Sequence, residues 1–351
     1  MKQIVLLLGT LLLAGFVLLP APAIAQITWD GGGDGTSWND ADNWNPGTVP
    51  TASDDVIIAT GTPTLNVAAT IQTLAMSGGT LGGTETLTIS GLFTWSGGTI
   101  NATSTINANG GITFSGVGQK TLNGTALNLG AASTWADGNI GMDDAAVIDI
   151  LAGKTLTITD VNAASLLRTG VTTTEPVFNI NGSLVKSAAS IGITSIDVTT
   201  NNLGNTVDVQ GGTMNFGFGS THTGSINIAS GATMAFDGNT HTLNAATVTG
   251  AGTMKITTGT LNLMGGQVIG SLFEIANGTV TNTGTTAVNG AMTWNAGTLG
   301  GSGTVTVNGG LSLGTGSTKT LGSGGLTLSI ASASTWTDGG IAMGDAAVLD
   351  I

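Results

Sequence analysis

The 351 residues contain no cysteine and no tyrosine. Without cysteine there can be no disulfide, no thiolate metal site and no thiol nucleophile. Lipid attachment at the cysteine of a bacterial lipoprotein N-terminus is excluded for the same reason. Basic residues are scarce: seven Lys plus Arg stand against twenty Asp plus Glu, for a net charge of −13. That balance excludes the basic face a nucleic acid requires and disfavours an anionic membrane surface. Arg168 is the single arginine, so no cluster of basic side chains is on offer to an acidic sugar. Six prolines and glycines without an every-third-residue period exclude a collagen-like helix. Few windows of ten residues lack glycine, which argues against helices. After the first 25 residues no apolar run reaches the roughly 18 residues of a membrane-spanning helix.

What the chain does contain is glycine (58 residues) and alternating Val, Ile and Leu, with a mean hydropathy of +0.35. Disordered chains are poor in β-branched residues and rich in charge, whereas charged residues are only 8% here. Short strands are predicted throughout. Thr86-Leu87-Thr88-Ile89, Leu156-Thr157-Ile158-Thr159 and Ser225-Ile226-Asn227-Ile228 alternate apolar and polar residues and end near glycine, which gives each strand one buried and one polar face.

The strand spacing sets the architecture. Thr213-Met214, Thr233-Met234 and Thr253-Met254 recur every twenty residues. Short strands at that period predict a solenoid coil in which each strand pairs with its counterpart one coil away. The expected fold is all-β: a right-handed parallel β-helix of about 20 residues per coil. Like residues should stack in ladders, and glycine should occupy the corners. About fourteen coils fit after residue 60, a rod on the order of 70 Å at the 4.8 Å strand spacing.

A longer repeat is superposed on the coil. Residues 135–150 read WADGNIGMDDAAVIDI and residues 336–351 read WTDGGIAMGDAAVLDI, identical at eleven of sixteen positions. Trp95 maps to Trp294 and Lys120 to Lys319, both offset by 199. Residues 74–150 thus match 273–351, and residues 151–272 match neither copy closely. The chain is expected to stop inside a repeat, leaving an edge without a polar cap and open to end-to-end or edge association.

Residues 1–25 read as a signal peptide. Lys2 supplies the basic start, residues 4–19 the apolar stretch, and Ala23-Ile24-Ala25 the small-residue cleavage site. The mature chain is expected to be exported, extracellular or on the cell surface, with no transmembrane span.

Residues 28–58 read TWDGGGDGTSWNDADNWNPGTVPTASDDVII. The segment, with Trp29-Asp30, the run 31–33 of glycine, Trp38, Asn43-Trp44, Val49-Pro50 and the Asp54-Asp55 entry to the first strand, resembles the opening of bacterial extracellular β-strand-repeat proteins. These are adhesin-like and autotransporter-passenger-like parallel β-helices. The later texture, as in residues 297–309, is similar to the same group. The resemblance implies a surface or secreted solenoid and carries no catalytic residue across. Residues 26–59 are expected to form an N-terminal cap, with Trp29, Trp38 and Trp44 covering the first coil and residues 60–351 forming the solenoid.

No constellation of catalytic residues stands out, and an enzyme is not expected. Asp30, Asp34, Asp40 and Asp42 are the candidate Ca2+ ligands, since Ca2+ takes loop carboxylates and carbonyls. They lack EF-hand spacing, and turn duty is the favoured reading. Asp137, Asp143, Asp144, Asp338 and Asp345 recur between the copies and suit corners. His222 and His241, nineteen residues apart, are expected as surface polar residues. Outward threonines could form an ordered array, but unequal coil lengths are expected to break it. The favoured function is an exported stalk or adhesive segment, with a surface glycan or other extracellular ligand as partner and no cofactor beyond Ca2+. The alternative is a polysaccharide-binding or polysaccharide-degrading protein on the same scaffold, with carboxylates from neighbouring coils converging on one face: Asp197, Asp208 and Asp237.

Overall fold

The computed structural model describes residues 26–170 and 173–351. The leader read in residues 1–25 lies outside the described residues. The rest is an all-β parallel solenoid with three strands per coil, joined to three lengthwise sheets. We call the 17-stranded sheet that includes Gln26–Trp29 and Asp55–Ile58 sheet A, the 14-stranded sheet that starts at Thr64–Leu65 sheet B, and the 14-stranded sheet that starts at Ala69–Ile71 sheet C. Fourteen three-strand coils, from Thr64–Leu65 to Val348–Asp350, follow an opening turn that contains Gln26–Trp29 and Asp55–Ile58. Among the described residues no helix is long and apolar enough to cross a membrane.

The strands form because alternation gives each a face to bury. Strand after strand alternates half-exposed and buried positions, as in Thr213–Phe216 and Thr304–Val307. Buried positions stack across coils. Met214 pairs with Met234 and Met234 with Met254, and alongside them Phe216 pairs with Phe236 and Phe236 with Ile256. The result is one continuous apolar core running the length of the rod.

The register is kept although coil lengths vary, because extra residues go into corners. Thr240, Thr260, Thr279, Thr298 and Thr320 pair in unbroken succession on sheet C, at sequence steps of 20, 19, 19 and 22. The expectation that unequal coils break the outward rows is therefore corrected: corner loops absorb the difference before the next strand starts. Corners also explain the glycine content at particular places. Gly98 and Gly297, equivalent in the long repeat, have φ of +88° and +86°, and a Cβ there would meet the backbone of Gly78 at 2.7 Å and of Gly278 at 2.2 Å. Only glycine satisfies both conditions.

At the start, Trp29, Trp38 and Trp44 are buried. Trp44 stands edge-on to both others, with ring centroids 4.9 and 4.7 Å away, the geometry aromatic quadrupoles favour. Trp44 Nε1 donates to the Trp38 carbonyl at 2.7 Å.

The methionine ladder should be a sensitive point of the core. Met234→Ala is expected to destabilise the rod by about 2–5 kcal/mol, as large-to-small core substitutions do, whereas Thr233→Ala on the outer face should cost well under half of that. Urea melts followed by far-UV circular dichroism compare the two; equal losses would mean that the ladder is not the source of cohesion.

Candidate functional site

Sheet B carries the most site-like surface. Its outer face over five consecutive strands forms a grid of three columns. The first column runs Ile193, Thr213, Thr233, Thr253, Leu272, and the second runs Ser195, Asn215, Ala235, Lys255, Glu274. The third contains Asp197, Gly217, Asp237 and Thr257, each two residues beyond the second column in its own segment. The small side chain of Ala235 at the centre leaves a depression between larger neighbours, among them Asn215, Thr233 and Lys255, an open groove of about 430 Å³. Its size lies within the range of ligand sites.

The charges of the groove sit at its two ends. Lys255 Nζ lies 3.3 Å from Glu274 Oε1, which also accepts from Asn295 Nδ2 at 3.1 Å. At the other end Asp237 lines the groove, and Asp197 stands beyond it on the same face, across Gly217. A Cβ on Gly217 would stand 2.1 Å from Asp197 Oδ1, so that carboxylate lies over the glycine. Burial, and then the charge of Asp237, push the Asp197 carboxyl above the usual range. Asp237 Oδ1 accepts the Thr258 hydroxyl. Asp208 is elsewhere: it lies on sheet A, accepting from Asn227 Nδ2 and Gln210 Nε2, both at 2.7 Å. Two of the three carboxylates expected to converge therefore share a face.

The acidic opening segment is built as turns. Asp34 Oδ1 accepts the backbone amides of Thr36 and Ser37, both at 2.8 Å, and Asn43 Nδ2 at 2.8 Å. The Ser37 hydroxyl, which donates to Asp34 Oδ2, and then these bonds hold the Asp34 carboxyl far below the usual range. Asp40 accepts from the amides of Asp34 and Asp42, and Asp30 from that of Gly32. Among the described residues no group of three or more His, Asp or Glu side chains is placed to hold a metal ion. Asp137 and Asp338 each accept the amide of the following glycine at 2.7 Å, as corner residues would.

The histidines are not on the surface, which corrects the expectation for them. His222 and His241 are both fully buried. Strand parity places them inside: Ser220 and His222 lie two apart on Ser220–His222, and His241 pairs with Ser220 rather than with His222. A chain of polar contacts results. His222 Nε2 lies 3.1 Å from Ser220 Oγ, and Ser220 Oγ lies 2.9 Å from His241 Nδ1. His241 Nε2 reaches the Asp237 carbonyl at 3.1 Å. Phe216 and Phe236 pack against the rings. Burial, and then His241, lower the His222 pKa to about 3, and burial lowers that of His241. Asp237 thus points its carboxylate into the groove and its carbonyl into the core.

Three buried lysines escaped the reading of the sequence. Lys120 Nζ donates to the carbonyls of Ser115, Gly116 and Gly118 at 2.6, 2.9 and 3.0 Å. Lys319 does the same to Ser317 at 3.1 Å and Thr315 at 3.4 Å. Each ammonium fills the inside of a corner and satisfies carbonyls that have no strand partner. Lys186 Nζ donates to Ser190 Oγ at 2.6 Å and Thr194 Oγ1 at 3.0 Å, and burial lowers its pKa to about 8. The available signal was parity: Lys120 stands two residues before Leu122, on the same face of Lys120–Asn123.

The two copies of the long repeat keep their local geometry but not their face. Trp95 and Trp135 lie on sheet A, while Trp294 and Trp336 lie on sheet B. Twenty-eight strands separate Phe93–Trp95 from Met292–Trp294, which is nine coils of three strands plus one strand. The second copy is therefore turned by about a third of a revolution. Trp95 and Trp294 donate to the carbonyls of Gly97 and Ala296 at 3.0 and 3.1 Å, and Trp135 and Trp336 to those of Gly138 and Gly339 at 2.8 and 2.7 Å.

The chain matches no protein-family model, no curated protein and no solved structure.

The buried histidines and lysines give two expected outcomes. A histidine whose folded pKa is depressed binds fewer protons than in the unfolded chain, so its stability contribution is lost as pH falls from about 6.5 toward 3. The slope approaches about 1.4 kcal/mol per pH unit for each such histidine. Urea midpoints measured from pH 7 to pH 3 should fall, and the double variant His222→Leu, His241→Leu should show a shallower fall; an unchanged slope would place the acid sensitivity in the carboxylates. Lys120→Ala should destabilise by about 3 kcal/mol by leaving buried carbonyls unpaired, and Lys120→Arg should recover part of it in the same melts.

Proposed function

We propose that the protein is an exported structural and adhesive solenoid, a stalk or adhesin segment of a bacterial surface, without a catalytic site. The observation that carries the reading is the unbroken rod: fourteen coils share one core and one register, with irregularity confined to corners. Such a body holds whatever it presents at a fixed distance, because each coil contacts its neighbours and stability is distributed along the axis. The leader and the resemblance of residues 28–58 to surface-exposed β-helical proteins support the same reading. In it, residues 26–59 close the N-terminal end of the core, with the three tryptophans over the first coil.

The test is expression of the full chain with its own first 25 residues in a bacterial host. External protease should digest the chain on intact cells, and cells carrying it should attach to a glycan-coated surface more than cells carrying a version without residues 60–351. Retention of the whole chain in the cytoplasm, or equal attachment, would overturn the reading.

A second reading, a polysaccharide-degrading enzyme, has one observation in its favour: Asp197, its carboxyl pushed above the usual range by burial and then by Asp237, shares the sheet B face with Asp237. A proton donor beside a carboxylate is the pairing that glycoside hydrolysis uses. Release of new reducing ends from a polysaccharide, abolished in Asp237→Asn, would establish it in place of the first.

A further inference from the structure

We infer that the sheet B groove is a binding site for a neutral or amino-bearing polysaccharide chain lying along the rod axis. The inference rests on the adhesive reading above and specifies the site and the chemistry of the ligand.

Backbone recognition is unavailable at this surface. Thr233–Phe236, at the groove centre, is paired on one side with Thr213–Phe216 and on the other with Thr253–Ile256. An extended peptide adding a strand needs an open edge, and the groove has none. A helix docking in a groove needs an apolar stripe. Here the centre is Thr213, Thr233, Thr253, Asn215 and Ala235, and the exposed apolar residues Ile193 and Leu272 stand only at the two ends of the first column.

What remains is a grid of hydroxyl, amide and carboxylate groups. Rows succeed each other at the strand spacing of about 4.8 Å. Threonine hydroxyls both donate and accept, Asn215 does both through separate atoms, and Asp237 accepts only. A polyhydroxylated chain offers the complementary set at every residue, and its C–H faces can rest on Ile193 and Leu272. Small residues at the centre give a sugar ring room to approach the sheet.

Charge narrows the class. Asp197, Asp237 and Glu274 carry acid groups against one cation, Lys255, which is already paired with Glu274. The whole chain is at −13. Uronic-acid or sulfated polymers would meet repulsion at short range, whereas hydroxyl or ammonium groups would meet acceptors in the Asp197–Asp237 pair.

The experiment is calorimetric titration of the purified chain with three hexasaccharides: a neutral β-glucan, a chitosan and a polygalacturonate. The first two are expected to bind and the third not. Ala235→Trp fills the floor of the groove and should weaken binding by about tenfold or more, equivalent to at least 1.4 kcal/mol. Asn215→Ala, a truncation on the outer face that should leave far-UV circular dichroism unchanged, should weaken it several-fold. Thr242→Trp, on the outer face of sheet C, should leave it as in the parent chain.

Binding of the polygalacturonate as tight as the others overturns the charge argument and with it the inference. Binding that survives both groove variants but falls in Thr242→Trp places the sugar on another face: the groove is then wrong and the adhesive reading stands. No binding of any hexasaccharide also removes this site, and the cell-attachment assay decides the adhesive reading separately.

Discussion

Between the first and last coils of the described residues, each strand is held by its counterpart one coil earlier and one coil later, in parallel register, and the rest of the structure depends on that pairing. Backbone N–H and C=O groups are satisfied in the ladders at every level of the rod. Because the pairing is parallel and in register, the residue above a given side chain is the residue one coil away in sequence. A buried position then needs a neighbour of compatible size in both directions, which is why methionine stacks on methionine and phenylalanine on phenylalanine. Between the strands no such constraint operates. Corners can gain or lose residues as long as they return the chain to the same ladder. Glycine is concentrated there for two separate reasons, left-handed φ and close approach to the corner beneath, and Gly98 and Gly297 need both.

The same constraint exposes the interior to polar insertions. An inward position on Ser220–His222 must be filled, whatever residue the sequence supplies. His222, Ser220 and His241 meet this by bonding to one another and to the Asp237 carbonyl, against the rings of Phe216 and Phe236. The arrangement keeps the imidazoles neutral, since charging a group this deep in the core is opposed by desolvation. The lysines solve the opposite problem. At a corner the backbone leaves the ladder and its carbonyls lose their strand partners, so an ammonium placed inside collects them. Lys120 takes three carbonyls in this way. Lys120, satisfied in this way, holds one geometry at a corner, where the chain has most freedom to adopt another, whereas His222 Nδ1 in its strand finds no partner.

Much of the fold was legible in the sequence because the solenoid writes its geometry as period and parity. The twenty-residue recurrence of Thr213, Thr233 and Thr253 announced the coil, and the alternation within Thr304–Val307 announced which side chains turn inward. The burial of His222, His241 and Lys120 was written in the same parity. Chemical habit, which places histidine and lysine on surfaces, ran against that parity, and the parity decides. The groove was only partly legible. Asp197 and Asp237 are forty residues apart, two coils, so their meeting follows from the period. That Gly217 lies between them and that Ala235 forms the floor depends on register at single-residue precision. Asp208 was misplaced because a coil has three faces, and acidic residues spaced at random along it fall on different ones.

The long repeat carries this reasoning one step further. A duplication of whole coils would set the second copy beneath the first on the same face. Twenty-eight strands is one strand more than nine coils, so Trp95 and Trp294 look into the core from different sheets. The local bonds survive the change: both indole N–H groups donate to a carbonyl two residues on, and Lys120 and Lys319 both gather corner carbonyls. A strand and its corner are therefore the transferable unit, and the three faces are interchangeable for the core. For the outside they are not. A surface that required matched residues from both copies on one face could not be built from this repeat, since the copies point about a third of a turn apart. A recognition surface confined to one face draws on a single copy or on residues outside the shared pattern. The sheet B groove meets that condition for most of its length, because all its rows but the last, at Leu272–Ile275, arise from residues 193–257, within the stretch that neither copy contains.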